Sequence, residues 1–262
     1  MARPLITLLT DFGDGSPYVA EMKGVILTLN AEANLVDLTH SVRPQDIRDG
    51  ACALEQAVGR FPAETIHVAV VDPGVGTDRE IVCVRMNQQY FIAPDNGLLG
   101  RVAMRYPPVR IIALQNREYW LSEVSSTFHG RDIMAPAAAY LSLGHDPQRL
   151  GEPLSKLVEI EWPQVRVERN RLVGTVVSFD TFGNLITDIS RSLLQEHGVP
   201  SSARVRCGKA EIAGLSRTYK NQPPLAFVAL LGSRNMLEIS IVNGNALTRL
   251  GVDVGAEVEV VW

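Results

Sequence analysis

The sequence predicts an α/β domain built on a mostly parallel sheet, followed by a smaller all-β, barrel-like domain. Through the first half, short apolar runs alternate with amphipathic stretches of helical length, which is the pattern of a parallel sheet covered on both faces. After about residue 144 the helical periodicity stops, and short β-like runs punctuated by Gly and Asn take over, as in a small sandwich or barrel. Composition permits both parts: 262 residues can bury a core in each, and 46% apolar with 21% charged residues is ordinary for a globular chain. The expected domains span residues 1–150 and 164–262.

In chain order, Pro4–Thr10 (PLITLLT) is a continuous apolar run that stops at Asp11-Phe-Gly, as a buried strand does. Val19, Met22, Val25, Ile26 and Leu29 then recur at three- and four-residue steps and mark a helix over Tyr18–Leu29. A strand at Asn34–Leu38, a helix around Asp46–Val58 and a strand at Thr65–Val71 follow. Ile81–Met86 and Tyr90–Ala93 form a strand pair across Asn87-Gln-Gln. A helix follows Asn96-Gly97, then a strand at Val109–Leu114, and Asp132 is placed to N-cap a helix through APAAAYLSLG. GHDPQRLGEPLSK is rich in Pro, Gly and charge and reads as a linker. Beyond Gln164 the strand-like runs are RLVGTVVSF, NLITDI, ARVRCG, AFVALLG, LEISIV and VEVVW, with one helix at Arg191–His197.

Several function classes are disfavoured by composition. A net charge of −4 offers no broad cationic field for nucleic acid or anionic lipid. No apolar run is long enough to span a bilayer, and the N-terminus lacks a cleavage pattern and reads as a first strand. Cys52, Cys83 and Cys207 lie far apart without CxxC pairing. That argues against zinc and against a disulfide framework, and it fits a reducing cytoplasm.

Ligands of an open parallel sheet gather at the carboxyl ends of its strands. Asp11, Asp37 and Asp72 fall at such ends. Asp37, with His40 in VDLTHSV, reads as an acid that holds the following turn. Asp72 has different company: in VVDPGVGTDRE, Pro73 fixes its own φ, Gly74 and Gly76 permit a tight loop, and Arg79 stands where a hairpin would return it to the acid. Such a pair serves either as a loop staple or as catalytic machinery. His129, in STFHGRDIMAP, is either a general acid/base or an ordinary loop histidine. No HxH or HxxxH spacing supports a metal. In the β half, FDTFGNLITDI, GSRN and NGNA offer hydrogen-bonding groups without a nucleophile, which suits recognition of a polar small molecule.

Taken in order, TDFG…YVAEMKGVI, VDLTHSVRPQDIRDGA, VAVVDPGVGTDRE, FIAPDNGLL, STFHGRDIMAP, FGNLITDI, GSRN and NGNA resemble the S-adenosylmethionine hydroxide adenosyltransferases, or adenosine-forming SAM hydrolases, which are relatives of the fluorinating and chlorinating enzymes. The resemblance covers almost the whole chain. It implies a homotrimer with active sites at subunit interfaces, and hydrolysis of S-adenosyl-L-methionine to adenosine and methionine by attack of water on ribose C5′. S-adenosyl-L-methionine is then the substrate, and no cofactor or metal is implied. The family's catalytic Asp, Arg and His match Asp72, Arg79 and His129, and its ribose-diol acid matches Asp11. Its methionine-binding acid and amide match Asp180 and Asn184, with Ser233 and Arg234 beside them, and its adenine contact matches Asn245 and the Ala246 backbone.

The halogenating relatives carry a tyrosine where this chain has Asp72 and lack the Asp/Arg/His set. An ionised acid there would also repel a halide. Many relatives read DPY before the first helix, whereas this chain reads SPY, with Ser16 in the acid's place and Asp14 nearby. Halide-dependent 5′-halogenation, a non-catalytic SAM or adenosine sensor, and a metal-dependent hydrolase are the alternative readings.

Overall fold

The computed structural model describes residues 3–262, and the chain divides into two compact units between Ile160 and Glu161. The first unit contains β1 (Leu5–Thr10), α1 (Pro17–Leu29), β2 (Asn34–Thr39), α2 (Ile47–Val58), β3 (Ile66–Val70), β4 (Ile81–Met86), β5 (Gln89–Pro94), α3 (Gly100–Arg105), β6 (Arg110–Ala113) and α4 (Ala135–Ser142). Its sheet runs β2-β1-β3-β5-β4-β6. The first four strands are mutually parallel, and β4 is antiparallel to both of its neighbours. Every residue of β3 is buried, His67 included, which explains why apolar residues stand on both of its faces rather than alternating with polar ones. Val19, Met22 and Ile26 of α1 meet Ile6, Leu8, Val68 and Val70 of the sheet, and the alanines of α4 let it lie close against α1. Odd-face residues of β3 point the other way, where His67 stacks on Phe91 and meets Phe61 edge-on.

Two expectations are corrected here. Asp132 is not a helix cap: it lies inside a π-helical turn over Gly130–Met134 that runs directly into α4, and it is fully buried. The stretch read as a linker belongs to the first unit. Pro147–Leu150 forms a 3₁₀ turn, Leu150 enters the core, and Pro153 bridges to Ile112 beside β6.

The second unit contains β7 (Arg166–Glu168), β8 (Arg171–Phe179), β9 (Leu185–Ser190), α5 (Arg191–Glu196), β10 (Arg204–Cys207), β11 (Ala210–Ala213), β12 (Leu215–Ser216), β13 (Phe227–Leu231), β14 (Met236–Ile241), α6 (Ala246–Leu250) and β15 (Glu257–Val261). The strand order is β11-β10-β15-β8-β9-β14-β13-β12, with β7 beside β8. The nine-residue β8 serves both halves of this nearly closed sheet, pairing with β15 along its first part and with β9 along its second. Gly174 sits at the changeover, where a Cβ would lie 2.3 Å from the Asp188 carboxylate that accepts from Thr175 N. Leu172, Val176, Leu185, Val205, Leu237 and Val258 fill the interior. Helix α6 and the short strands β7, β11 and β12 are additions to what the sequence patterns suggest.

Candidate active site

Asp72 leaves β3 through Val71, whose carbonyl accepts from Asn96 Nδ2 at 2.9 Å. Asn96 Oδ1 also accepts from Leu98 N, so one side chain ties the strand end to the loop after β5. Two successive tight turns then bring the chain back, with Val75 N donating to Asp72 O and Thr77 N and Oγ1 donating to Gly74 O. Arg79 returns onto Asp72 as the sequence suggests. Its Nε lies 2.9 Å and 3.0 Å from the two carboxylate oxygens, and its Nη2 also donates to Oδ2. Only 5% of the Asp72 side chain and 11% of the Arg79 side chain are exposed. A forked guanidinium contact of this kind fixes orientation as well as charge.

Arg79 Nη2 also lies 3.0 Å from His129 Nδ1. A guanidinium can only donate, so Nδ1 is the acceptor and the neutral imidazole carries its proton on Nε2. Burial and the adjacent Arg79 charge hold the His129 pKa below its usual value, against the opposing pull of Asp72 and Asp132. In the loop that leads to His129, the Ser126 carbonyl is approached by Gly76, which has φ +80° and lies so close that a Cβ would sit 2.5 Å from it. Buried Asp132 braces the same loop by accepting from Ser125 N at 2.8 Å and from Arg131 Nε at 2.6 Å. Phe128, Phe12 and Tyr18 form an edge-to-face aromatic group beside it.

Asp11 follows β1, the strand next to β3, and Thr10 pairs with Val70 in the register. Asp11 and Asp72 therefore emerge from neighbouring strand ends. Asp11 Oδ2 accepts from Gln45 N at 2.7 Å. Ser16 caps α1 by accepting from Tyr18 N, and Asp14 accepts from Ser41 Oγ.

In the second unit, a cleft of about 730 Å³ gathers Asp180, Asn184, Ser233 and Arg234. Asp180 Oδ1 accepts from Phe182 N and Asn184 N, and Oδ2 accepts from Asn184 Nδ2, each at 2.9 Å. Asn245 caps α6 through Thr248 N and packs against Gly183, while Ala246 is fully buried. Asn243 and Gly244 line the cleft, whereas Asn245 and Ala246 are not among its lining residues. The sequence reading missed Glu238, which also lines the cleft. It is 8% exposed and flanked across the sheet by Leu230 and Ile186, and its side chain accepts from Tyr219 Oη at 2.9 Å. Burial and then Glu238 push the Tyr219 hydroxyl up to about 12, so it stays a donor. Gly232 makes room for this carboxylate, since a Cβ there would collide with Oε1.

The sequence matches the family profile described as SAM hydroxide adenosyltransferase N-terminal domain over residues 6–151, and the corresponding C-terminal domain over residues 174–259. The chain belongs to the SAM hydroxide adenosyltransferase family. A (R)-S-adenosyl-L-methionine hydrolase of Salinispora tropica is 38% identical, over 98% of this chain and 97% of that protein. One of Thermus thermophilus bearing the same name is 36% identical, over 97% and 98%. A fluorinase of Nocardia brasiliensis is more distant, at 26% identity over 91% and 90%. Among solved structures, an uncharacterized conserved protein of Thermotoga maritima superposes with a TM-score of 0.93 at 36% identity, covering 98% of this chain and all of that one. No group of three or more His, Cys, Asp or Glu side chains that could hold a metal occurs among the described residues. Nor is any described helix long and apolar enough to cross a membrane.

Proposed function

We propose that this protein hydrolyses S-adenosyl-L-methionine to adenosine and L-methionine, with Asp72, Arg79 and His129 acting on the attacking water. The observation that carries the proposal is the bonded chain Asp72–Arg79–His129 at the end of β3. A sulfonium departs as a neutral thioether, so the leaving group needs no acid. The O–C5′ bond forms as the C5′–S bond breaks, and the bonding pair goes to sulfur. The requirement is a water held in line and relieved of a proton. Because Arg79 occupies His129 Nδ1, His129 offers Nε2–H as a donor that orients the water, and Asp72 is the group that accepts its proton. Arg79 holds both.

Asp11 accepts from the ribose diol, for which a carboxylate offers two acceptor oxygens. Asp180, Asn184, Ser233 and Arg234 take the methionine end, and Glu238 adds a second carboxylate for its ammonium. Asn245 and the Ala246 backbone take adenine. A homotrimer with active sites at subunit interfaces, metal-independent turnover without a cofactor and a cytoplasmic location complete the proposal. Halogenation is the weaker reading, since the Arg79 charge is already matched by Asp72 and leaves no net positive pocket for a halide.

Incubating chelator-treated protein with S-adenosyl-L-methionine and resolving the products by chromatography tests the proposal. Adenosine and methionine in equal amounts, lost in Asp72→Asn, are expected. Tight binding of intact substrate without turnover would instead make the protein a sensor.

A further inference from the structure

Asp11 is held by more than its own bond to Gln45. The loop after β1 is laced to the loop after β2: Gly13 N donates to His40 O at 2.8 Å, Ser41 Oγ donates to Asp14, and Thr10 Oγ1 lies 2.9 Å from His40 Nδ1. Thr10 is fully buried and His40 is 8% exposed. On the far side of the ring, His40 Nε2 lies 3.0 Å from Asp37 Oδ1, off the N–H line, and Asp37 Oδ2 accepts from Lys23 Nζ at 2.6 Å. The result is a carboxylate–imidazole–hydroxyl series whose last member is the residue immediately before Asp11.

The hydrogen-bond inventory fixes the roles. His40 Nε2 faces the Asp37 carboxylate, which favours the ring proton on that nitrogen. That leaves Nδ1 to accept from the Thr10 hydroxyl, whose oxygen in turn accepts from Phe12 N at 3.2 Å. Burial works to raise the Asp37 carboxyl, but Lys23 and His40 outweigh it and keep it below the usual carboxylate range. Thr10 is sealed in the sheet and cannot attack a substrate. What it does touch, through Phe12 N, is the backbone turn that aims Asp11.

We propose that Asp37, His40 and Thr10 are positioning residues that set the Asp11 carboxylate for a vicinal diol, so that diol recognition depends on a relay reaching outward to Lys23. The proposal rests on the reading of Asp11 as the ribose ligand. Thr10→Val preserves shape but leaves both His40 Nδ1 and Phe12 N without a partner, whereas Thr10→Ser keeps the hydroxyl.

The test is calorimetric binding of adenosine and of 2′,3′-dideoxyadenosine to wild type, Thr10→Val, Thr10→Ser, His40→Asn and Asp11→Asn, each first checked for folding by circular dichroism. Thr10→Val and His40→Asn are expected to weaken adenosine by about tenfold, the worth of one charge-linked hydrogen bond, and to leave the dideoxy analogue unchanged. Thr10→Ser should match wild type. Wild type that prefers adenosine through Asp11, with that preference intact in Thr10→Val and His40→Asn, would overturn the relay alone. Equal weakening of both ligands would overturn it too, by showing a general structural effect. Wild type that binds the two ligands equally, with Asp11→Asn silent, would sink the diol reading of Asp11 first.

Discussion

Arg79 engages two partners with one guanidinium, Asp72 through Nε and Nη2 and His129 through Nη2. Lysine cannot reproduce that planar fork. Arg79→Lys should therefore lower kcat by roughly 10²-fold, within the range of a lost acid–base or positioning group, while melting temperature changes little; unchanged kcat in steady-state assays would contradict the role. His129 adds a pH signature. Its pKa is depressed by burial and by Arg79, so the neutral, orienting form persists on the acid side of an ordinary histidine, near 6.5. The acid limb of kcat/KM should lie below that value. The Asp72–Arg79 pair was legible because Pro73, Gly74 and Gly76 dictate a tight return. The Arg79–His129 bond was not, since it joins residues far apart in the chain. Glu238 was also hidden: in LEISIV it occupies a position that alternation assigns to solvent, and only the neighbouring strands bearing Leu230 and Ile186 bury it.

The strand β3 and the loops around it carry their own predictions. His67 is sealed within β3, bonded to Thr7 and stacked on Phe91, and burial pushes its pKa down to about 4. The unfolded chain binds this proton near pH 6.5 while the native state refuses it until about pH 4, so stability falls as pH drops through that interval. Between pH 7 and pH 5 the loss should be roughly 2 kcal/mol from this one residue. Urea unfolding at both pH values should show it in wild type, with a shallower slope in His67→Gln. Gly76 joins the Asp72 loop to the Ser126 loop with positive φ and no room for a Cβ. Gly76→Ala should cost roughly 1–3 kcal/mol and lower kcat as well, because the displaced loop carries His129; thermal melts and assays on one preparation check both. The π turn at Gly130–Met134 explains why the capping rule failed at Asp132. An acid before an apolar helix resembles an N-cap, but here the helical path has already begun at Gly130 and the carboxylate turns inward to Ser125 and Arg131. Composition misled at residues 144–156 for a similar reason. Pro and Gly shape a compact 3₁₀ turn there, and Leu150 anchors it in the core.

Over the whole chain, the two kinds of periodicity were enough to separate an α/β unit from an all-β unit, because burial on two faces and on one face leave different marks. The pairing order of the second unit was not legible: its strands are short, and β8 changes partners midway around Gly174. The chemical groups divide in the same way, with the charged Asp72–Arg79–His129 series in the first unit and the amide, hydroxyl and carboxylate groups of the cleft in the second. The most direct test of the proposed chemistry is turnover of S-adenosyl-L-methionine in ¹⁸O-water with added chloride, read by mass spectrometry. Adenosine carrying ¹⁸O at C5′ together with unlabelled methionine is the expected result. A 5′-chloro product, or adenosine without the label, would contradict attack by a water held at Asp72, Arg79 and His129.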